Sequence, residues 1–141
     1  QAGVERSAEM IGVDTNVLLR FLVEDEPDQN RQAKDFLSAC TQEVPAYVSA
    51  VTLAETVWIL NRRLKFPMRG IAEMVRALLE ADEIVLEHAE ELGLLLHQQP
   101  VPSADFADYL IAWSNGRAGC SRTMTFDKRA AKSVPGMELL Q

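Results

Sequence analysis

The sequence predicts an α/β fold, a three-layer α/β/α sandwich with a mainly parallel central sheet. Three observations carry that prediction. Short apolar runs alternate with stretches of helical period along the chain. The first of those runs is apolar on both faces, as a strand covered by helices on either side should be. A length of 141 residues with 48% hydrophobic content suits one domain with a core of its own. Residues 1–9 have no period and read as a cloning scar or loose extension, with Met10 as the natural start. Residues 10–141 then form a single domain, without internal repeat, linker or low-complexity tract.

Met10–Val13 is expected as a buried strand ending at Asp14. Asn16–Glu24 follows with Val17, Leu18, Phe21 and Leu22 on one helix side. Residues 25–28 make a loop and a helix start, and Gln29–Ala39 is a polar helix with Ala33, Phe36 and Leu37 inward. Pro45–Ser49 is the second strand. Val51–Leu64 is a long helix, broken by Pro67. Met68–Ala81 is another helix, and Ile84–Leu86 the third strand. His88–His97 and Ser103–Arg117 are helices, the second ended by Gly119. Arg122–Phe126 is the fourth strand, Asp127–Lys132 a short helix, and Met137–Leu140 a last strand. Trp58 and the apolar face of Ile71–Leu79 read as core.

Charge and composition exclude several functions. Fourteen basic against 21 acidic residues give a net charge of −7. That opposes binding nucleic acid by bulk positive charge, though not a local site acting on it. No apolar run reaches the ~18 residues of a membrane helix, and residues 1–9 lack a signal-peptide pattern. Cys40 and Cys120 have no CxxC spacing and read as buried thiols in a reduced, cytoplasmic protein. His88 and His97 read as surface or helix-end residues with no shared ligand spacing.

Ligands of parallel α/β sheets bind beyond the carboxyl ends of the strands, and the acids gather there. Asp14 follows the first strand and Asp127 the fourth. Glu55 lies early in the helix after the second strand. Asp105 and Asp108 are three apart, on one face of the helix start after Ser103. Each alone reads equally as a local device. Asp14 and Asp127 suit helix N-caps, Thr52 with Glu55 fits a capping box, and Asp105 and Asp108 complement a helix dipole. Together they predict a shared pocket. Two carboxylates ~5 Å apart repel by roughly 3 kcal/mol at an effective dielectric of ~20. Protonation or a cation relieves such repulsion. An all-oxygen donor set suits Mg²⁺ or Mn²⁺ and metal-assisted phosphodiester hydrolysis.

Four motifs in order carry a resemblance. Ile11-Gly12-Val13-Asp14-Thr15-Asn16-Val17-Leu18, Ala54-Glu55-Thr56-Val57-Trp58, Ala104 to Ala112 (Ala-Asp-Phe-Ala-Asp-Tyr-Leu-Ile-Ala) and Thr125-Phe126-Asp127 resemble the four motifs of PIN domains. Their phrasing is similar to VapC toxins of type II toxin–antitoxin systems. The resemblance implies a Mg²⁺- or Mn²⁺-dependent endoribonuclease. Asp14, Glu55, Asp108 and Asp127 would be its catalytic acids and metal ligands. Asn16, Asp105 and Thr125 would support them, Thr125 through the first acid. It also implies an RNA substrate, a VapB-like antitoxin and a homodimer. Arg62, Arg63, Lys65 and Arg69 form a basic cluster suited to phosphate, or simply a solvated helix end.

Two alternatives stand beside this reading. One is a PIN-like module that binds a protein and cleaves nothing. The other is a haloacid-dehalogenase-like phosphatase, against which Asn16 counts, because that nucleophile loop needs a second Asp there. A response-regulator receiver lacks its paired acids here.

Overall fold

The computed structural model describes residues 9–141; the expected extension falls mostly on residues 1–8, outside the described residues. The element order is β1 (Ile11–Gly12), α1 (Thr15–Leu22), α2 (Pro27–Ala39), β2 (Ala46–Val48), α3 (Ala50–Trp58), α4 (Met68–Glu80), β3 (Ile84–Leu86), α5 (Ala89–Gln98), α6 (Phe106–Arg117), β4 (Thr123–Thr125), α7 (Lys128–Ser133) and β5 (Met137–Leu139). Every strand pair is parallel. Helices make the crossovers that parallel strands require. This helix-rich α/β architecture is the predicted class, consistent with an α/β/α sandwich.

The sheet differs from expectation in its continuity. Its strands form two ladders, β1-β2-β3 and β4-β5. Ala46 pairs with Ile11 on one side and Ile84 on the other, while Thr123 pairs with Met137. β1 is therefore an edge strand, not a buried one, and Ile11 is 38% exposed. The apolar run was read correctly as a strand, but apolarity alone does not tell how many neighbours a strand has.

Packing is divided in the same way. The main core joins Leu18, Ala46, Val48, Leu53, Ile71 and Phe106 with their neighbours from β2, β3, α1 to α4 and α6. A smaller cluster of Leu95, Ala104, Tyr109, Ala130, Val134 and Met137 holds α7 and β5 against α5 and α6. Trp113 touches both.

Local chemistry explains most element ends. Pro27 opens α2 at a position where its missing N–H costs nothing. Ser49 caps α3, its hydroxyl accepting from the Thr52 N–H at 3.2 Å. Thr52 and Glu55 are thus not the capping box of that helix. The long helix expected over 51–64 changes to a π-helical turn at Ile59–Arg63, followed by Lys65 in the left-handed region. Gly119 follows α6 at φ 105°, a conformation that favours glycine.

Three side chains lie elsewhere than expected. Trp58 is 52% exposed rather than core, because it faces away from the Leu53–Val57 side of α3. His88 is buried, not on the surface, with its Nε2 3.1 Å from the Ser114 hydroxyl. Cys120 is exposed and Cys40 half-buried. Among the described residues, no helix is long and apolar enough to cross a membrane.

Candidate active site

Asp14 leaves β1 at its carboxyl end and caps α1, its Oδ1 accepting from the Val17 N–H at 3.1 Å. The next residue, Thr15, donates its hydroxyl to Glu55 Oε1 at 2.6 Å. One hydrogen bond thus ties the start of α1 to α3 and holds the Glu55 carboxylate beside the first motif. Asn16 lies with Asp14 on the wall of a cavity of about 620 Å³ between β1, α1 and α2.

The other acids meet elsewhere. Asp105 stands at the start of α6 with no side-chain capping bond. Its carbonyl accepts the Asp108 N–H at 3.0 Å, which places Asp108 in the first turn. Asp127 caps α7, its Oδ1 accepting from the Ala130 N–H at 3.0 Å. Its own N–H donates to Thr125 Oγ1 at 3.0 Å. Thr125 therefore steadies the fourth acid, where the resemblance assigned it to the first. Asp105, Asp108 and Asp127 share a cavity of about 600 Å³ with Arg62, Phe126, Lys128 and Arg129.

The electrostatics mark Asp108. Burial pushes its carboxyl above the usual range, and the carboxylates of Asp105 and Asp127 push it further.

The sequence-predicted acids thus occupy two neighbourhoods. One joins Asp14, through Thr15, to Glu55; the other joins Asp105, Asp108 and Asp127. Among the described residues, no three acids, histidines or cysteines stand close enough to hold a metal ion together. Sequence reasoning missed Thr15 and the pair Lys128–Arg129. Their signals were a hydroxyl between two motif residues and two cations directly after a motif acid. Of the basic cluster around Pro67, Arg62 reaches the acidic cavity, carried there by the π-helical turn.

A PIN-domain family model matches residues 11–135. The chain belongs to the PIN-domain family. PIN domains are generally nuclease-like and typically use divalent metal ions. Among curated proteins, none matches the chain.

The donor chemistry fits such an ion. The acids offer hard oxygen ligands, and the load on Asp108 is of the kind a cation relieves. Mg²⁺ keeps several waters and needs only one or two carboxylates besides substrate phosphate. A full protein cage is not required. In this PIN domain, Asp14, Glu55, Asp108 and Asp127 are the carboxylates that would offer oxygen ligands to such an ion.

Proposed function

We propose that this PIN domain is a Mg²⁺- or Mn²⁺-dependent endoribonuclease, acting in the cytoplasm as the toxin of a VapBC-type pair. One observation carries the reading: carboxylates and cations share a single cavity. Asp105, Asp108 and Asp127 face the same space as Arg62, Lys128 and Arg129. Carboxylates alone would repel a polyanion, and cations alone would bind it without chemistry. Side by side they suit a phosphodiester, whose charge the cations hold while the acids serve the reacting centre. The VapC assignment rests on the motif phrasing, and the antitoxin partner follows from it.

When bound, a divalent ion there supplies an activated water and stabilises charge on the phosphate oxygens. The chain's own residues do the rest. Arg62, Lys128 and Arg129 grip the backbone phosphates. Thr15 fixes the Glu55 carboxylate, and the Thr125 hydroxyl fixes the Asp127 backbone. Water adds to phosphorus as the P–O3′ bond breaks. A carboxylate takes the water's proton, and the 3′-oxygen leaves as a hydroxyl after gaining one.

The test is cleavage of total tRNA and ribosomal RNA by the purified protein. Cutting with Mg²⁺ or Mn²⁺, lost with EDTA and with Asp14→Asn, is the expected result. The second reading is a binding module, on which Asp14 and Asp127 serve as the helix caps they also are. It gains if neither cutting nor metal binding is seen. The phosphatase alternative loses its ground with the family match.

A further inference from the structure

Although acids are in surplus, one group of cations stands without them. Arg20, Arg31, Lys34, Arg76, Arg117 and Arg122 each pair with a carboxylate. Among the described residues, the arginines and lysines without such a partner all fall in two segments. Arg62, Arg63, Lys65 and Arg69 run from the π-helical turn into the first turn of α4. Lys128, Arg129 and Lys132 lie in α7. Neither run contains an acid, and all of these cations are exposed. The two segments are distant in sequence, yet both reach the acidic cavity, one through Arg62 and the other through Lys128 and Arg129.

The aromatic residues show a matching bias. Trp58, 52% exposed, and Phe126, 80% exposed, stand on the surface, while every other aromatic side chain is buried or half-buried. Phe126 lines the acidic cavity beside Lys128 and Arg129. Trp58 lines a small cavity with Arg62 and Asp105, and those two residues line the acidic cavity as well. Trp58 therefore reaches the acids from the α3 side and Phe126 from the β4 side. Each brings its own run of unpaired cations.

We propose that Trp58 and Phe126 are positioning residues that stack unpaired bases of the RNA, one on either side of the phosphate held at the acids. Three points favour a nucleic-acid strand over a protein as the occupant. Cations left unpaired in a net-acidic chain complement a polyanion. Aromatic faces interleaved with cations suit a single strand, because the cations track its phosphates and the rings take its bases whatever their sequence. The patch is also continuous with the acidic cavity, so a strand lying in it passes the acids. A duplex cannot use the aromatic faces, since its bases are stacked on one another inside the helix. The cut would then need unpaired nucleotides on both sides, without a sequence being read. This deepens the nuclease reading and rests on it only for the cleavage arm of the test.

The binding arm titrates a short RNA oligonucleotide without internal pairing into the protein in EDTA, alone and annealed to its complement. The single strand is expected to quench tryptophan fluorescence. Trp58→Phe should remove that quench while keeping most of the affinity. Trp58→Ala and Phe126→Ala should each weaken single-strand binding roughly 5–100-fold, with Tm and the salt dependence of binding unchanged. Lys132→Ala should instead reduce the salt dependence and weaken strand and duplex alike. Equal binding of strand and duplex, binding of neither, or alanine variants that bind as wild type would each overturn the proposal. Variants that bind RNA as wild type but differ from it in mass by light scattering would give this face to a protein partner, another copy of the chain.

The cleavage arm adds Mg²⁺ and total tRNA. If the single strand is bound and stacked but nothing is cut, the nuclease reading fails and the strand path stands. If both alanine variants cut as fast as wild type at limiting RNA, the strand path is wrong and the nuclease reading stands.

Discussion

In the three-stranded sheet, β2 lies between two partners, and Ala46 and Val48 are sealed from solvent. In the two-stranded sheet, β4 has one partner, and Met124 is exposed with Phe126 beside it. The same α/β materials thus make a body with a deep core and a unit that is apolar on a side it does not cover. The difference teaches where the chemistry lies. Asp14 and Glu55 belong to the body, Asp127 to the unit, and Asp108 to the helix between them. A site assembled from such parts depends on how the two regions meet, and each can be perturbed separately.

The largest effect should come from the body's acid at the sheet edge. Asp14→Asn removes a charge but keeps the shape and a capping oxygen for the Val17 N–H. Cleavage is expected to fall by more than about 100-fold, beyond the loss usual for residues that only orient a ligand. Thermal unfolding should barely change. A large drop in Tm with little loss of cleavage would make Asp14 a structural cap and break the assignment.

The two regions should also differ in stability. Phe106 is fully buried in the main core, so Phe106→Ala should cost about 3–5 kcal/mol by chemical denaturation. The β4–α7–β5 unit rests on a smaller cluster and exposes one edge. Its amides are expected to exchange with deuterium faster than those of β2 and α4. Uniform protection across both would mean that they open as one cooperative block.

A smaller loss is expected at Thr15. Its hydroxyl donates to Glu55 Oε1 at 2.6 Å. Thr15→Val should reduce cleavage roughly 10–100-fold, as removal of an orienting partner does. Thr15→Ser, which keeps the hydroxyl, should restore it. Failure of the serine variant would show that the methyl group or local backbone matters instead.

Much of this was legible in the sequence, for physical reasons. Strand and helix periods follow from the backbone, so β2, β3, α4 and α6 emerge near their predicted places. The motif acids follow from their position after strands. What was not legible depends on contacts between distant segments. An apolar run such as Ile11–Val13 reads the same whether it has one neighbour or two. Trp58 reads as core until the face of α3 toward Leu53 and Val57 is known. His88 is a helix-end residue by sequence, and only its approach to Ser114 shows that it is enclosed. The π-helical turn that carries Arg62 to the acids has no periodic signal over its five residues.

The smallest expected effect has the opposite sign and lies where the two regions touch. Burial and the carboxylates of Asp105 and Asp127 hold the Asp108 carboxyl above its usual range. The folded protein then binds that proton more tightly than the unfolded chain. Stability from this group is present at pH values below the ordinary carboxylate range and is lost as pH rises through the raised value. At neutral pH the ionised group is therefore a cost. Asp108→Asn, which cannot ionise, should raise Tm in metal-free buffer by roughly a degree or two. Added Mg²⁺ should narrow the Tm difference, because a cation relieves in the wild type what the amide relieves in the variant. A variant less stable than wild type without metal would mean that the neighbouring acids are not straining Asp108, and that the two regions meet without electrostatic cost.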